Sequence, residues 1–282
     1  MSNELPAAND PSSIDDQENS DVVNSLLHPL ALIIRQVLTR SGREELDRIL
    51  IDDEENIDQA LDAGVTIESL FYAGDKTISE SLKQKLPSDV TIHEVAKRTC
   101  KKLFENEKIS RVFAIARTPT PLTLEALAAI RQDIVVLEDV SISGNVGSIV
   151  RTSLALGIGG IVLLNTDPVD VYDRRLIRAS RGYLFSLPIV TATTEELLLF
   201  CKRVGLQVLV TSSQADTLVD EISQLPRRFA IVFGSEKEGC SQALIDAATL
   251  QVKIPMNPKV ESLNVSSAAG ITLYNRLRFN IR

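Results

Sequence analysis

The sequence contains no tryptophan, only 3 cysteines and 2 histidines, and aromatic residues make up just 4% of its 282 positions. Each shortage narrows the chemistry. Cys100, Cys201 and Cys240 are odd in number and far apart, and His28 and His93 do not join them at any metal-ligand spacing. That pattern argues against a disulfide framework and predicts a reduced, metal-free protein. No apolar run approaches the length of a bilayer span. The opening MSNELPAANDPSSIDDQENS has neither a basic n-region nor an apolar h-region. A cytosolic chain that crosses no membrane is predicted. Neither GxGxxG nor GxxxxGK[ST] is present, which opposes a nucleotide-dependent dehydrogenase and a P-loop enzyme.

Basic residues are also in the minority, with a formal net charge of -8. That balance argues at first against a nucleic-acid partner, but its distribution matters more. Residues 1–60 hold 14 acids and 4 bases, whereas the remainder holds 24 acids and 26 bases. Two basic clusters stand out behind the acidic front. One is Lys97, Arg98, Lys101 and Lys102; the other is Arg174, Arg175, Arg178 and Arg181. A charge run is usually a solvated face, but 174, 178 and 181 share one face of a helix, as a phosphate-tracking surface requires.

What is present in quantity is aliphatic residue, within a 44% hydrophobic composition. Residues 1–21 read as a disordered acidic tail. A small α/β unit is predicted over 22–116, with helices near 23–38, 54–63, 77–85 and 95–104 and strands at 67–72, 90–95 and 112–116. The segment RTPTPL within 117–125 reads as a linker. From 126 to 282 the pattern becomes strict alternation. Strands fit 134–138, 160–164, 188–191, 206–211, 229–233 and 250–254. Helices fit 145–156, 173–181, 194–203, 217–223, 241–247 and 264–278. Continuous apolar strands such as IVVL and FAIVF predict a parallel sheet covered on both faces.

Ligands in such sheets bind at the carboxyl ends of strands. Three strand-end stretches are therefore candidates: SISGNVGSIVR at 141–151, GSEKEG at 234–239, and MNPKVESLNVSS at 256–267. The first is read as a loop rich in small residues leading into a helix, with Gly144, Asn145 and Gly147 at the junction. Taken singly, each glycine pair could be only a tight turn. In this order, N-x-G-x-x-x-R, F-G-S-E-x-x-G and I-P-M-x(6)-S-L-N-V-S resemble the three signature motifs of the SpoU/TrmH-type methyltransferases. With IVRTSLALG and DRRLIRASRGYLFSLPIV, the chain closely resembles the ribosomal RNA ribose methyltransferases that protect thiopeptide producers from thiostrepton and nosiheptide.

The resemblance implies a C-terminal α/β domain with a deep trefoil knot, preceded by a small ribosomal-protein-like RNA-binding domain. It further implies S-adenosylmethionine as methyl donor, a ribose 2′-hydroxyl in 23S ribosomal RNA as acceptor, and a homodimer whose acceptor site is completed across the interface. The cofactor would be held around Thr211, Phe233, Gly234, Gly239, Ile254, Pro255, Met256, Leu263 and Ser266. The catalytic environment would comprise Arg151, Asn145, Glu236, Ser262 and Asn264. A guanidinium is a poor neutral base, so orienting the hydroxyl or a phosphate and stabilising oxyanion charge is the physically favoured role for Arg151. Asn145, Ser262, Asn264 and Ser266 could equally serve as helix caps. RNA contacts would fall on Arg40, Arg43, Lys97, Arg98, Lys101 and Phe104 in the front unit, and on Arg174, Arg175, Arg178 and Arg181 behind it. Cys240 stands where the resistance enzymes carry proline, and the acidic run Asp52–Glu55 sits awkwardly in an RNA-binding unit. Two alternatives share this fold: a ribose methyltransferase acting on another ribosomal or transfer RNA site, and a catalytically silent RNA-binding homologue.

Overall fold

Two sheets, with helices packed around them, organise the residues described by the computed structural model, namely 22–105, 108–164, 169–225 and 228–277. The acidic tail 1–21 lies outside them. The front sheet is mixed and runs β1-β4-β3-β5-β2. In chain order its elements are β1 (Val22–Val23), α1 (Pro29–Val37), α2 (Arg40–Leu46), β2 (Arg48–Asp52), α3 (Glu54–Asp62), β3 (Ile67–Ala73), α4 (Glu80–Lys85), β4 (Thr91–Val95), α5 (Lys97–Leu103) and β5 (Val112–Arg117). The sequence reading places no element over α2 or β2. The apolar part of β2 is only Ile49–Ile51 between charges, too short a run to reveal its period. Its antiparallel pairing with β5 then buries all three.

The second sheet is wholly parallel, in the order β10-β12-β9-β11-β6-β7-β8. It is built from α6 (Leu124–Ala128), β6 (Ile134–Glu138), α7 (Ser143–Ala155), β7 (Ile161–Leu164), α8 (Arg174–Ala179), β8 (Ile189–Thr191), α9 (Thr194–Val204), β9 (Gln207–Thr211), β10 (Thr217–Leu218), β11 (Phe229–Phe233), α10 (Gln242–Ala247), β12 (Leu250–Lys253) and α11 (Val265–Leu277). Every residue of β6, β7 and β11 is buried, as strands covered on both faces must be. α9 is delimited by a Thr193/Glu196 capping box and by Gly205 at φ 68. The helix expected over 217–223 is instead the short strand β10 followed by a 3-10 turn, Val219–Gln224.

β11 lies between β6 and β9, so the loops leaving β6 and β11 emerge side by side at the carboxyl edge. α11 returns to pack near α7, with Gly270 beside Thr152. Its far end is tied down by Arg276, which donates to Asp133 Oδ2 at 2.8 Å and to the carbonyls of Ile222 and Leu225. One apolar cluster runs across the seam between the sheets, from Ile51, Ile57 and Leu70 to Ile149, Ile177 and Leu184. The stretch between β5 and α6 is held on both sides: Thr118 N donates to Asp47 O, and Leu122 bridges Val190. No helix among the described residues is long and apolar enough to cross a membrane.

Candidate active site

α7 starts at Ser143, with Ile142 in the N-cap position. Gly144, Asn145 and Gly147 therefore all lie inside the helix, which begins two residues before the start at 145 that the sequence predicts, and Asn145 is not its cap. Glycines lower helix propensity and so disguise the start. At Gly147 the reason for glycine is contact: a Cβ would stand 2.5 Å from Ala179 Cβ and 2.7 Å from Ser180 N. α7 and α8 can approach this closely only without a side chain there.

The three strand-end stretches meet at Glu236. Its Oε1 accepts from Asn145 Nδ2 at 3.2 Å, from Asn264 Nδ2 at 3.0 Å and from Val265 N at 3.4 Å. Asn264 also donates to Asn145 Oδ1 at 3.0 Å, and its own Oδ1 accepts from Ser266 N and Oγ. Asn264 thus caps α11 and joins the cluster, so its two readings from sequence coincide. Among the described residues no hydrogen bond reaches Glu236 Oε2. Glu236 itself is exposed.

Beside this cluster lies a cavity of about 490 Å³ between the loops after β9, β11 and β12 and the start of α11. Seven of the residues assigned to the cofactor line it: Thr211, Phe233, Gly234, Gly239, Ile254, Met256 and Leu263; Ser262 and Glu236 stand at it too. Pro255 and Ser266 do not line it. Ser212–Gln214, Lys253 and Glu261 do, and sequence reasoning missed them, although the first four leave carboxyl ends of neighbouring strands. The wall after β11 is a tight loop in which Ser235 and Gly239 exchange two backbone hydrogen bonds. A Cβ on Gly234 would come within 2.1 Å of Gly239 C and O, so only glycine fits. Buried Glu138 holds the loop's exit through Ser241 N at 2.7 Å. A volume in the range of small-molecule sites and a lining that mixes apolar Phe233, Ile254 and Leu263 with polar Thr211, Ser212 and Gln214 suit a ligand with a flat apolar ring and polar appendages.

Cys240 lines this cavity, and burial, reinforced by the Glu138 charge, pushes its thiol up to about 12. The raised value means that its contribution to stability is full below its ordinary pKa of 9.0 and is lost as pH climbs toward 12. At pH 8 iodoacetamide should alkylate Cys240 at least about 100-fold more slowly than a free thiol. Mass spectrometry of the labelled peptide checks this; alkylation at the free-thiol rate would contradict it.

Arg151 stands apart. It is exposed and makes no hydrogen bond or ion pair among the described residues. Six residues beyond Asn145, it sits about 9 Å along the helix and about 120° around it, so the two do not share a face. Near it α11 exposes Ile271 and Tyr274, which at i and i+3 form one apolar stripe.

Three of the RNA-contact residues require correction. Arg43 is 6% exposed; it donates to Val37 O and pairs with Asp170 and Asp173. Arg174 is 2% exposed and forms a two-pronged pair with Asp52, while its guanidinium sits 4.5 Å from the Phe104 ring centre. Phe104, 1% exposed, is core. None of the three can meet RNA. The acidic run supplies the reason: Asp52 binds Arg174 and Arg178, and Glu55 binds Arg181. Lys97, Arg98, Lys101, Arg40 and Arg175 remain exposed, and Arg178 is half-buried. Phe104, the residue after α5, meets Arg174 at the start of α8 across the seam. No group of His, Cys, Asp or Glu among the described residues could hold a metal ion.

Comparison with known proteins identifies the family. Residues 132–274 match the SpoU rRNA Methylase family, and residues 20–130 match the family described as thiostrepton-resistance methylase, N terminus. The 23S rRNA (adenosine(1067)-2′-O)-methyltransferase of Streptomyces azureus is 36% identical, over 92% of this chain and 97% of its own. The enzyme of the same name from Streptomyces laurentii is 38% identical, over 93% and 97%. The crystal structure of an AdoMet-bound rRNA methyltransferase from Sinorhizobium meliloti superposes with a TM-score of 0.80 at 25% identity, covering 93% of this chain and 98% of that one.

Proposed function

The chain belongs to the SpoU rRNA Methylase family, and from that premise we propose that it methylates the ribose 2′-oxygen of an adenosine in 23S ribosomal RNA, as a determinant of resistance to thiostrepton-type antibiotics. The observation that carries this reading is the convergence of Asn145, Glu236 and Asn264 on the rim of the cavity. Bound in that cavity, S-adenosylmethionine supplies a sulfonium methyl open to in-line attack. Thr211, Phe233, Gly234, Gly239, Ile254, Met256 and Leu263 would hold its adenosine end, while Pro255 and Ser266 stand outside the cavity lining. Ser262 and the Asn145–Glu236–Asn264 cluster frame the side from which the ribose enters.

A ribose hydroxyl is a weak nucleophile and must be oriented while its proton leaves. Glu236 Oε2, the oxygen left open by the cluster, is the acceptor positioned for that proton or for a guanidinium that holds the hydroxyl. Arg151 of the same chain faces elsewhere on α7. We therefore assign the acceptor site to a homodimer, in which Arg151 of the partner subunit reaches the rim. The apolar stripe of Ile271 and Tyr274 supports that face as the interface. Insertion of β11 between β6 and β9, with α11 returning to α7, supports a trefoil knot in the C-terminal domain, 126–282. The front domain, 22–116, would read folded RNA by shape and phosphates, using Lys97, Arg98, Lys101 and Arg40 together with Arg175, Arg178 and Arg181 across the seam. Residues 117–125 join the two, and the work is done in the cytosol.

Tritiated S-adenosylmethionine incubated with the protein and a 23S fragment from the thiostrepton-binding region should label the RNA. A transfer RNA pool should stay unlabelled. Label in transfer RNA alone, or none in either, would overturn the assignment.

A further inference from the structure

The seam between the two sheets contains more buried charge than a tether needs. Asp52, 1% exposed at the end of β2, receives Arg174 Nε and Nη2, each at 2.8 Å, and Arg178 Nη1 at 3.3 Å. Asp52 O also accepts from Asn56 Nδ2, which ties the pair to α3. One step on, Gly182 at φ 74 lies against α3 so closely that a Cβ would stand 2.8 Å from Gln59 Cβ and 3.0 Å from the Asn56 backbone. The other side of the same segment, Ala179 and Ser180, presses on Gly147 of α7. Close approaches at Gly182 and Gly147 therefore link α3 of the front domain, through residues 179–182, to the helix that carries Asn145 and Arg151.

We propose that Asp52 and Arg174 form a positioning pair that fixes the front domain relative to α7, so that the distance from the recognised RNA fold to the methyl donor selects the nucleotide. This rests on the proposed function above. Buried ion pairs are weak sources of stability beside a well-packed apolar replacement, and their better-attested use is to specify one arrangement over others. A two-pronged carboxylate–guanidinium pair fixes both separation and angle. Neither residue touches the cavity or its rim.

The test uses the full-length double variant Asp52→Leu with Arg174→Met, which removes the two buried charges together and leaves Arg178, 19% exposed, free to turn to solvent. Gly182→Ala serves as a second variant, which wedges the same contact without altering charge. Each is assayed for S-adenosylmethionine affinity by calorimetry, for KM and kcat on the 23S fragment, and for the distribution of 2′-O-methyl groups along it. Cofactor affinity should stay within about twofold of wild type, KM should rise about tenfold with kcat less affected, and methylation at neighbouring riboses should rise at least about fivefold relative to the principal site. Variants that bind cofactor normally yet keep wild-type KM and a single methylated ribose would overturn the proposal. Failure of the wild-type protein to methylate any ribose would instead strike the functional reading on which it rests.

Discussion

Arg151→Ala should lower methyl transfer roughly 100- to 1,000-fold, the usual effect of removing one preorganised donor from a developing oxyanion. S-adenosylmethionine affinity should stay within about twofold, because Arg151 does not line the cavity. The fold should be untouched too: the side chain is exposed and holds no partner among the described residues. Arg151→Lys should recover little, since an ammonium keeps the charge but loses the planar fork that can grip a hydroxyl and a phosphate together. Single-turnover kinetics with saturating RNA separate this effect from binding. If the site is completed between subunits, mixing inactive Arg151→Ala protein with an inactive cofactor-loop variant should restore activity in the mixed dimers. Near-normal turnover by Arg151→Ala would remove the residue from the reaction.

Gly234→Ala should weaken S-adenosylmethionine binding by roughly 5- to 150-fold. The added methyl meets backbone on every near side, Gly239 C and O at 2.1 Å and Cys240 N at 2.4 Å, so no flexible side chain can yield. The loop must open, and overpacking of this kind costs about 1–3 kcal/mol. If only the closed loop binds cofactor, that cost appears directly in the apparent affinity. Gly144→Ala is the matched control. Its Cβ would meet nothing within 4 Å, and alanine is the better helix former, so cofactor binding should not change. Calorimetry of the two variants side by side decides; equal affinities would mean that the 234–239 loop does not shape the cofactor cavity.

Much of the second sheet was readable in advance because its strands are buried on both faces and so appear as unbroken apolar runs, as in Ile134–Leu137 and Phe229–Phe233. The convergence of the three strand-end stretches followed from parallel-sheet geometry, which brings the carboxyl ends of neighbouring strands to one edge. What could not be read was anything that depends on a partner distant in sequence. Asp52 and Arg174 are 122 residues apart, and nothing local distinguishes a buried arginine from one facing phosphate. Arg43 and Phe104 were misassigned for the same reason. Gly144 hid the first two residues of α7, and nothing local shows that Gly147, inside the helix, is required by the approach of α8 and not by a turn. The acidic run in the front domain, an anomaly for an RNA-binding surface, becomes intelligible once it is seen to neutralise arginines across the seam.

The methyl-transfer reading and the seam proposal both depend on where the methyl group goes. The direct measurement is a reaction with trideuteromethyl-labelled S-adenosylmethionine and a 23S fragment from the thiostrepton-binding region, followed by digestion and mass spectrometry of nucleosides and of the mapped oligonucleotides. The label should appear in 2′-O-methyladenosine at one position. Label on a base, on the ribose of another nucleoside, or spread over several positions by the wild-type protein would contradict the account.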